Sequence, residues 1–204
     1  MYHGERFNTI SHIAGAALAA IGGIALVSVA CRAGDPWKIV SFAIYGAMLV
    51  LLYVCSSMYH GARGQIKAFL RHLDHCAIYL LIAGSYTPFA LVTLRGAWGW
   101  SIFGSIWALA ALGIAEEFWR IGRTRLLAIA LYILMGWLVL VAIVPLVHSL
   151  GWHGFLWLAA GGVLYSVGVF FYVNKKLRHG HGIWHLFVVG GSACHYLAVL
   201  LYVA

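Results

Sequence analysis

Long stretches without a charged residue constrain this chain more than any other feature. No Asp, Glu, Lys or Arg occurs in residues 7–31, 39–62, 75–94, 96–115, 126–174 and 179–204. Because an α-helix needs about 20 apolar residues to cross the hydrocarbon layer, five of these stretches predict one span each. Residues 126–174 are long enough for two spans, separated by a turn around Pro145, His148, Gly151 and His153. The sequence therefore predicts an all-α membrane protein, a single seven-helix transmembrane domain over residues 1–204.

Basic residues are distributed unevenly between the two ends of the predicted bundle. Seven spans place the N-terminal segment and the loops after spans two, four and six on one side. That side carries Arg6, Arg63, Lys67, Arg71, Arg120, Arg123, Arg125, Lys175, Lys176 and Arg178. The other side carries Arg32, Lys38 and Arg95. Because basic loops are retained in the cytoplasm, this bias predicts a cytoplasmic N-terminus, an external C-terminus and a multi-pass location in the cell inner (plasma) membrane.

Composition argues against several other classes of protein. With 64% hydrophobic and 9% charged residues, the chain is too apolar for a soluble domain. Its net charge of +8 comes from short clusters between apolar runs, so we expect no nucleic-acid partner. The four cysteines include no C-x-x-C pair, and no lysine lies inside an apolar run. A thiolate zinc site and a retinal Schiff base are therefore not expected.

Histidines gather at the predicted cytoplasmic ends of the spans. His60 ends span two, one turn from Ser56, and His181 and His185 begin span seven with the spacing that places both on one helix face. Three imidazoles would leave the fourth position of a tetrahedral zinc for water, and Asp74, which opens span three, is a candidate general base. The competing interpretation is that these histidines are interfacial and bind no metal.

Four motifs in this chain carry a family resemblance. They are Glu5-x-x-Asn8-x-x-Ser11-His12, Ser56-x-x-x-His60, the run DHCAIYLLIAGSYTP from Asp74 to Pro88, and His181-x-x-x-His185. Together they resemble the hemolysin III family, the bacterial branch of the progestin and adipoQ receptor superfamily, which is related to the alkaline ceramidases. The resemblance implies a zinc ion held by His60, His181 and His185, with Asp74 contacting the metal through water.

Three functions remain open at this point. The first is a zinc-dependent lipid hydrolase, in which water attacks an amide or ester carbonyl with help from Asp74, and Ser56 assists. The second is a non-enzymatic sensor of membrane state with structural zinc, and the third is a cytolysin or pore former. Glu5 and Asn8 are expected to support the site by ordering the N-terminal segment over it. Membrane lipids are the expected partners, and a protein hormone is not.

Overall fold

The fold is built from helices. The computed structural model describes residues 5–119, 125–174 and 176–204, and every regular element in these ranges is helical. The α-helices are α1 (Arg6–Ala33), α2 (Pro36–Gly61), α3 (Ile66–Pro88), α4 (Ala97–Trp119), α5 (Leu126–Trp137), α6 (Ile143–Val173) and α7 (Gly180–Tyr202). A π-helical turn, Phe89–Thr93, continues α3, and a 3₁₀ turn, Leu138–Ala142, joins α5 to α6. Three basic residues that contribute to the predicted orientation, Arg120, Arg123 and Lys175, lie outside the described ranges.

Within the described ranges, six helical segments are long and apolar enough to cross a membrane. The third is α3 with its π-helical turn, and the fifth is a 48-residue segment, Leu126–Val173, that contains both α5 and α6. Large apolar side chains face outward, as Ile24, Leu126 and Val144 show with exposed fractions of 70%, 72% and 77%. Such a surface suits lipid as the solvent. The prediction of an all-α membrane protein is confirmed, whereas the number of crossings stays a prediction.

The long fifth segment is broken at one residue. Gly151 has φ 73° and ψ 164°, a conformation that side chains with a Cβ rarely adopt. Pro145, His148 and His153 are helical, so the interruption is narrower than the predicted turn. Pro145 is tolerated because it lies in the first turn of α6, where its missing N–H leaves no helical hydrogen bond unmade. The break leaves two helical portions, each close to the roughly 20 residues that one crossing needs.

Local sequence signals determine the turn between α1 and α2. This turn lies at the opposite end of α2 from His60. Asp35 caps α2, because its Oδ1 accepts hydrogen bonds from the backbone N–H groups of Trp37 at 2.8 Å and Lys38 at 3.4 Å. Pro36 takes the first helical position, where its fixed φ is favourable. Further along, Gly46 packs directly on Gly23, since a Cβ built on Gly46 would lie 3.0 Å from the Gly23 Cα. This close approach aligns α1 with α2 along their length.

Helix α3 is the most buried of the membrane segments, with 72% of its most apolar window inside the bundle. It begins at Ile66, whereas the charge-free stretch that predicted this span begins only at residue 75. Lys67 and Arg71 therefore belong to the helix, and Asp74 lies about two turns inside it instead of at its start. Because α3 begins about two turns before Asp74, the Asp74 carboxylate lies in the interior of the bundle.

Candidate metal centre

Three imidazoles meet at one end of the bundle. His60 is the penultimate residue of α2, and His181 and His185 lie one turn apart in the first part of α7. One ring nitrogen from each lies within 4.8 Å of the other two, and the Nε2 atoms of His60 and His181 are 3.3 Å apart. His60 and His185 are 2% and 1% exposed. This buried group, the histidine triad, could hold a metal ion.

The outer nitrogens of two triad members are already engaged. The Nδ1 atom of His60 lies 2.6 Å from Oε2 of Glu5, and Nδ1 of His185 lies 3.2 Å from the backbone oxygen of Asn8. Because a carboxylate and a carbonyl can only accept, each Nδ1 carries the proton and donates it. Nε2 of each ring is then left with the lone pair that a metal requires. The N-terminal segment therefore orients ligands on both α2 and α7.

Glu5 is the centre of these N-terminal contacts. Besides His60, its carboxylate accepts hydrogen bonds from Nδ2 of Asn8 at 3.0 Å and from Nζ of Lys67 at 3.2 Å. Partial burial alone would raise the pKa of Glu5, but the hydrogen bond and charge of His60, with Asn8 and Lys67, outweigh it and lower the pKa. Glu5 is therefore a carboxylate at neutral pH. Both Glu5 and Asn8, expected as supporting residues, lie against the histidine triad.

His12 is a further neighbour of the triad that the spacing of the histidines does not predict. Its ring stacks on His185, with centroids 3.7 Å apart and planes at 19°, and Tyr53 meets it edge-on at 5.1 Å. Ser11 lies beside it, with Oγ 3.5 Å from Nδ1 of His185. Both residues belong to the motif at the start of span one that carries the family resemblance, so a signal was present in the sequence. The sequence does not show which face of α1 packs against α7.

Asp74 and Ser56 lie in a cavity that the triad also reaches. Both side chains are buried, with exposed fractions of 2% for Ser56 and 9% for Asp74. The cavity has a volume of about 380 Å³, and both side chains line it together with His181 and His185. A carboxylate, a hydroxyl group and a group able to hold a metal therefore share one cavity.

The same cavity is elongated and largely apolar. Its apolar wall includes Leu52, Ile78, Ile82, Ile133, Val169 and Val188. At the far end it reaches His195, which lies ten residues beyond His185 on α7 and hence about 15 Å away along the helix. His195 is itself tied to α6, because its Nε2 lies 3.2 Å from the Leu158 carbonyl oxygen. The cavity thus has Asp74, Ser56 and two triad histidines at one end and a largely apolar wall beyond them.

A second buried polar cluster adjoins the cavity. Oε1 of Glu117, on α4, accepts hydrogen bonds from Nδ1 of His72 and Nδ1 of His75, both at 2.9 Å. Arg125 lies 3.8 Å from the same oxygen and also contacts His75 and the Tyr172 hydroxyl. The sequence pattern does not single out Glu117, because nothing in it shows that α4 packs on α3. The cluster joins α3, α4 and the start of α5.

Comparisons with known proteins agree with the motif resemblance. A family model described as "Haemolysin-III related" matches residues 1–196. The chain is 46% identical over 200 residues to "Hemolysin-3" of Bacillus cereus, covering 98% of this chain and 91% of that protein. It is 43% identical over 199 residues to "Hemolysin-3 homolog" of Bacillus subtilis (strain 168), covering 97% and 93%. A more distant relative is "Heptahelical transmembrane protein ADIPOR2" of Oryza sativa subsp. japonica, 32% identical over 152 residues, 62% of this chain and 65% of that protein.

Proposed function

We propose that this chain, which belongs to the hemolysin III family of the progestin and adipoQ receptor superfamily, is a zinc-dependent hydrolase of membrane-lipid amides or esters. The observation that carries this proposal is the shared cavity. It brings Asp74, Ser56 and two members of the triad to one end of an apolar space of about 380 Å³. A metal with a purely structural role would not require such a space beside it.

The spacing of the triad supports zinc as the metal. Two nitrogens that each lie about 2.0–2.1 Å from a tetrahedral zinc are roughly 3.3–3.4 Å apart. The Nε2 atoms of His60 and His181 are 3.3 Å apart, which fits one edge of that tetrahedron. Calcium and magnesium are disfavoured because they take oxygen ligands. His60, His181 and His185 would therefore hold the ion.

The chain's own residues divide the remaining work. A zinc ion in the triad would supply Lewis acidity and lower the pKa of a water in its open position. Asp74, oriented by Ser56, accepts a proton from the attacking water and returns it to the leaving amine or alcohol. The water oxygen adds to the acyl carbon, and the carbon–nitrogen or carbon–oxygen bond then breaks as the leaving group takes the proton from Asp74. The products are a fatty acid and an amine or alcohol, and the apolar wall of the cavity holds the acyl chain.

The proposed topology places this chemistry at the cytoplasmic leaflet of the inner (plasma) membrane. The segment Leu126–Val173 would cross twice, with the break at Gly151 on the outer side. "Heptahelical" in the name of the rice relative describes that protein, and seven crossings here agree with it. The excess of basic residues at the triad end supports a cytoplasmic N-terminus.

The test is fatty-acid release by purified, zinc-loaded full chain supplied with a panel of bacterial lipid amides and esters. Asp74→Asn keeps the shape of the side chain, and we expect it to slow release by about 10²–10⁴-fold while zinc content stays unchanged. Asp35→Asn, which removes the same charge from the helix cap at the opposite end, is the matched control. If no lipid yields more fatty acid with the wild type than with Asp74→Asn, the hydrolase proposal fails.

A structural metal is the second candidate, and the positions of the ligands favour it. The triad joins α2 to α7, and the contacts of Glu5 and Asn8 add the start of α1. A metal there would stabilise the bundle whether or not it served a reaction. In that case chelation lowers the melting temperature, and Asp74→Asn leaves the cellular function intact.

A further inference from the structure

We propose that the polar end of the cavity binds the phosphate group of an anionic lipid, so that the substrate class is a phosphate-bearing acyl lipid. The inference rests on the hydrolase proposed above, because it assigns the head group of that enzyme's substrate. Two arginines, Arg71 and Arg125, carry it, since both line the cavity that contains Asp74.

Arg71 forms no ion pair with a carboxylate in the described ranges of the chain. It lies three residues before Asp74 on α3, hence on the same side of the helix and about 4.5 Å nearer its start. Its side chain is exposed. An unpaired guanidinium at the entrance of an apolar cavity is suited to an anionic partner.

Arg125 is held in place by contacts with three side chains, two of them buried. It contacts the Tyr172 hydroxyl and His75, and it lies 3.8 Å from Oε1 of Glu117, whose side chain is 2% exposed. A guanidinium anchored in this way keeps its donors in a fixed direction and loses little entropy when a ligand arrives. The buried cluster around Glu117 therefore has a purpose beyond packing, which is to position Arg125 at the cavity.

The charges around the polar end select phosphate over other head groups. Arg71 and Arg125 line the cavity from α3 and the start of α5, and Asp74, one turn deeper on α3, lines it together with Ser56. A phosphate monoester carries a charge of about −1.5 to −2 and three acceptor oxygens, so it can accept hydrogen bonds from both guanidinium groups at once. It would offset the charge of Arg71, whereas Glu117 already offsets part of the charge of Arg125. A neutral head group would offset neither.

The experiment compares two lipids that differ only in the phosphate. The octadecyl ether of glycerol phosphate and the octadecyl ether of glycerol share one alkyl chain, and neither contains a bond that the proposed enzyme can hydrolyse. Binding to zinc-loaded full chain in phosphatidylcholine nanodiscs is measured at equilibrium. We expect the phosphate lipid to bind about tenfold more tightly, the difference that charge-assisted hydrogen bonds provide. Arg71→Gln should remove most of that preference.

Arg178→Gln is the matched control, because Arg178 is an exposed arginine just before α7 that does not line the cavity. Equal binding of the two lipids overturns the proposal, and so does an equal loss in Arg71→Gln and Arg178→Gln, which would indicate general surface charge. Competition by free glycerol phosphate at the same concentration as the lipid would assign the site to free phosphate instead. An intact phosphate preference without fatty-acid release from any lipid would refute the hydrolase and leave head-group recognition standing.

Discussion

The contact between Glu5 and His60 offers a measurable test of the proposed metal site. Their 2.6 Å hydrogen bond fixes the tautomer of His60, which is almost fully buried. Loss of such an outer partner costs about 10–100-fold in metal affinity, equivalent to roughly 1.4–2.8 kcal/mol. Glu5→Gln keeps an oxygen that can accept from Nδ1, so only the charge is removed. Because Glu5 is 26% exposed and already paired with Lys67, we expect the lower end, about a tenfold weaker zinc affinity.

The measurement is competition for zinc between the detergent-purified protein and a chromophoric chelator. Asp35→Asn removes a carboxylate that caps α2 at the opposite end, so its zinc affinity should equal that of the wild type. His60→Ala defines the affinity when one ligand is lost. Unchanged zinc affinity in Glu5→Gln, or an equal decrease in Asp35→Asn, would refute the assignment of Glu5 as the partner that orients His60.

Three further predictions concern packing and topology. Gly99→Ala should lower the melting temperature by the equivalent of about 1–3 kcal/mol, because its Cβ would lie 2.2 Å from a backbone carbonyl oxygen. Gly104→Ala, on the same helix with open space around it, should leave the melting temperature unchanged. Equal shifts in the two variants would contradict this packing. Glu117→Leu should cost about 3–5 kcal/mol in a thermal melt, because the buried His75, the half-buried His72 and Arg125 would lose their carboxylate. Wild-type stability would contradict this. In a chain with its native cysteines replaced by serine, His153→Cys should react with an impermeant maleimide on intact cells and Gln65→Cys only after lysis; the reverse pattern would overturn the proposed topology.

Most of the helical architecture could be predicted from the sequence, because charge-free length is a strong signal in a membrane. The boundaries were less predictable. Helix α3 begins at Ile66 because Lys67 and Arg71 can extend to the interface while their backbone stays helical. The break in the long fifth segment is confined to Gly151, since Pro145 fits the first turn of α6 and the two histidines are compatible with a helix. A hydropathy profile does not show these local effects on helix boundaries.

The candidate site was predictable where spacing along one helix decided the outcome. His181 and His185 share a face because they are four residues apart, and the motif resemblance joined them to His60. The stacking of His12 on His185 and the burial of Glu117 depend on how separate helices are rotated against each other. One sequence contains no signal for that rotation, and the cavity, which is what several helices leave unfilled, is equally invisible in it.

Control of the triad by the N-terminal segment has a thermodynamic consequence. Two acceptors from one short stretch, the Glu5 carboxylate and the Asn8 carbonyl, hold ligands that belong to two different helices. The Asn8 carbonyl belongs to the backbone, so no side-chain replacement removes it. The Asn8 side chain instead donates a hydrogen bond to the Glu5 carboxylate at 3.0 Å. The first turn of α1 must therefore dock before both ligands are oriented for metal. Because linkage is reciprocal, if docking improves zinc affinity by about tenfold, bound zinc favours docking by the same factor. A zinc ion in the triad and the N-terminal segment would thus stabilise each other.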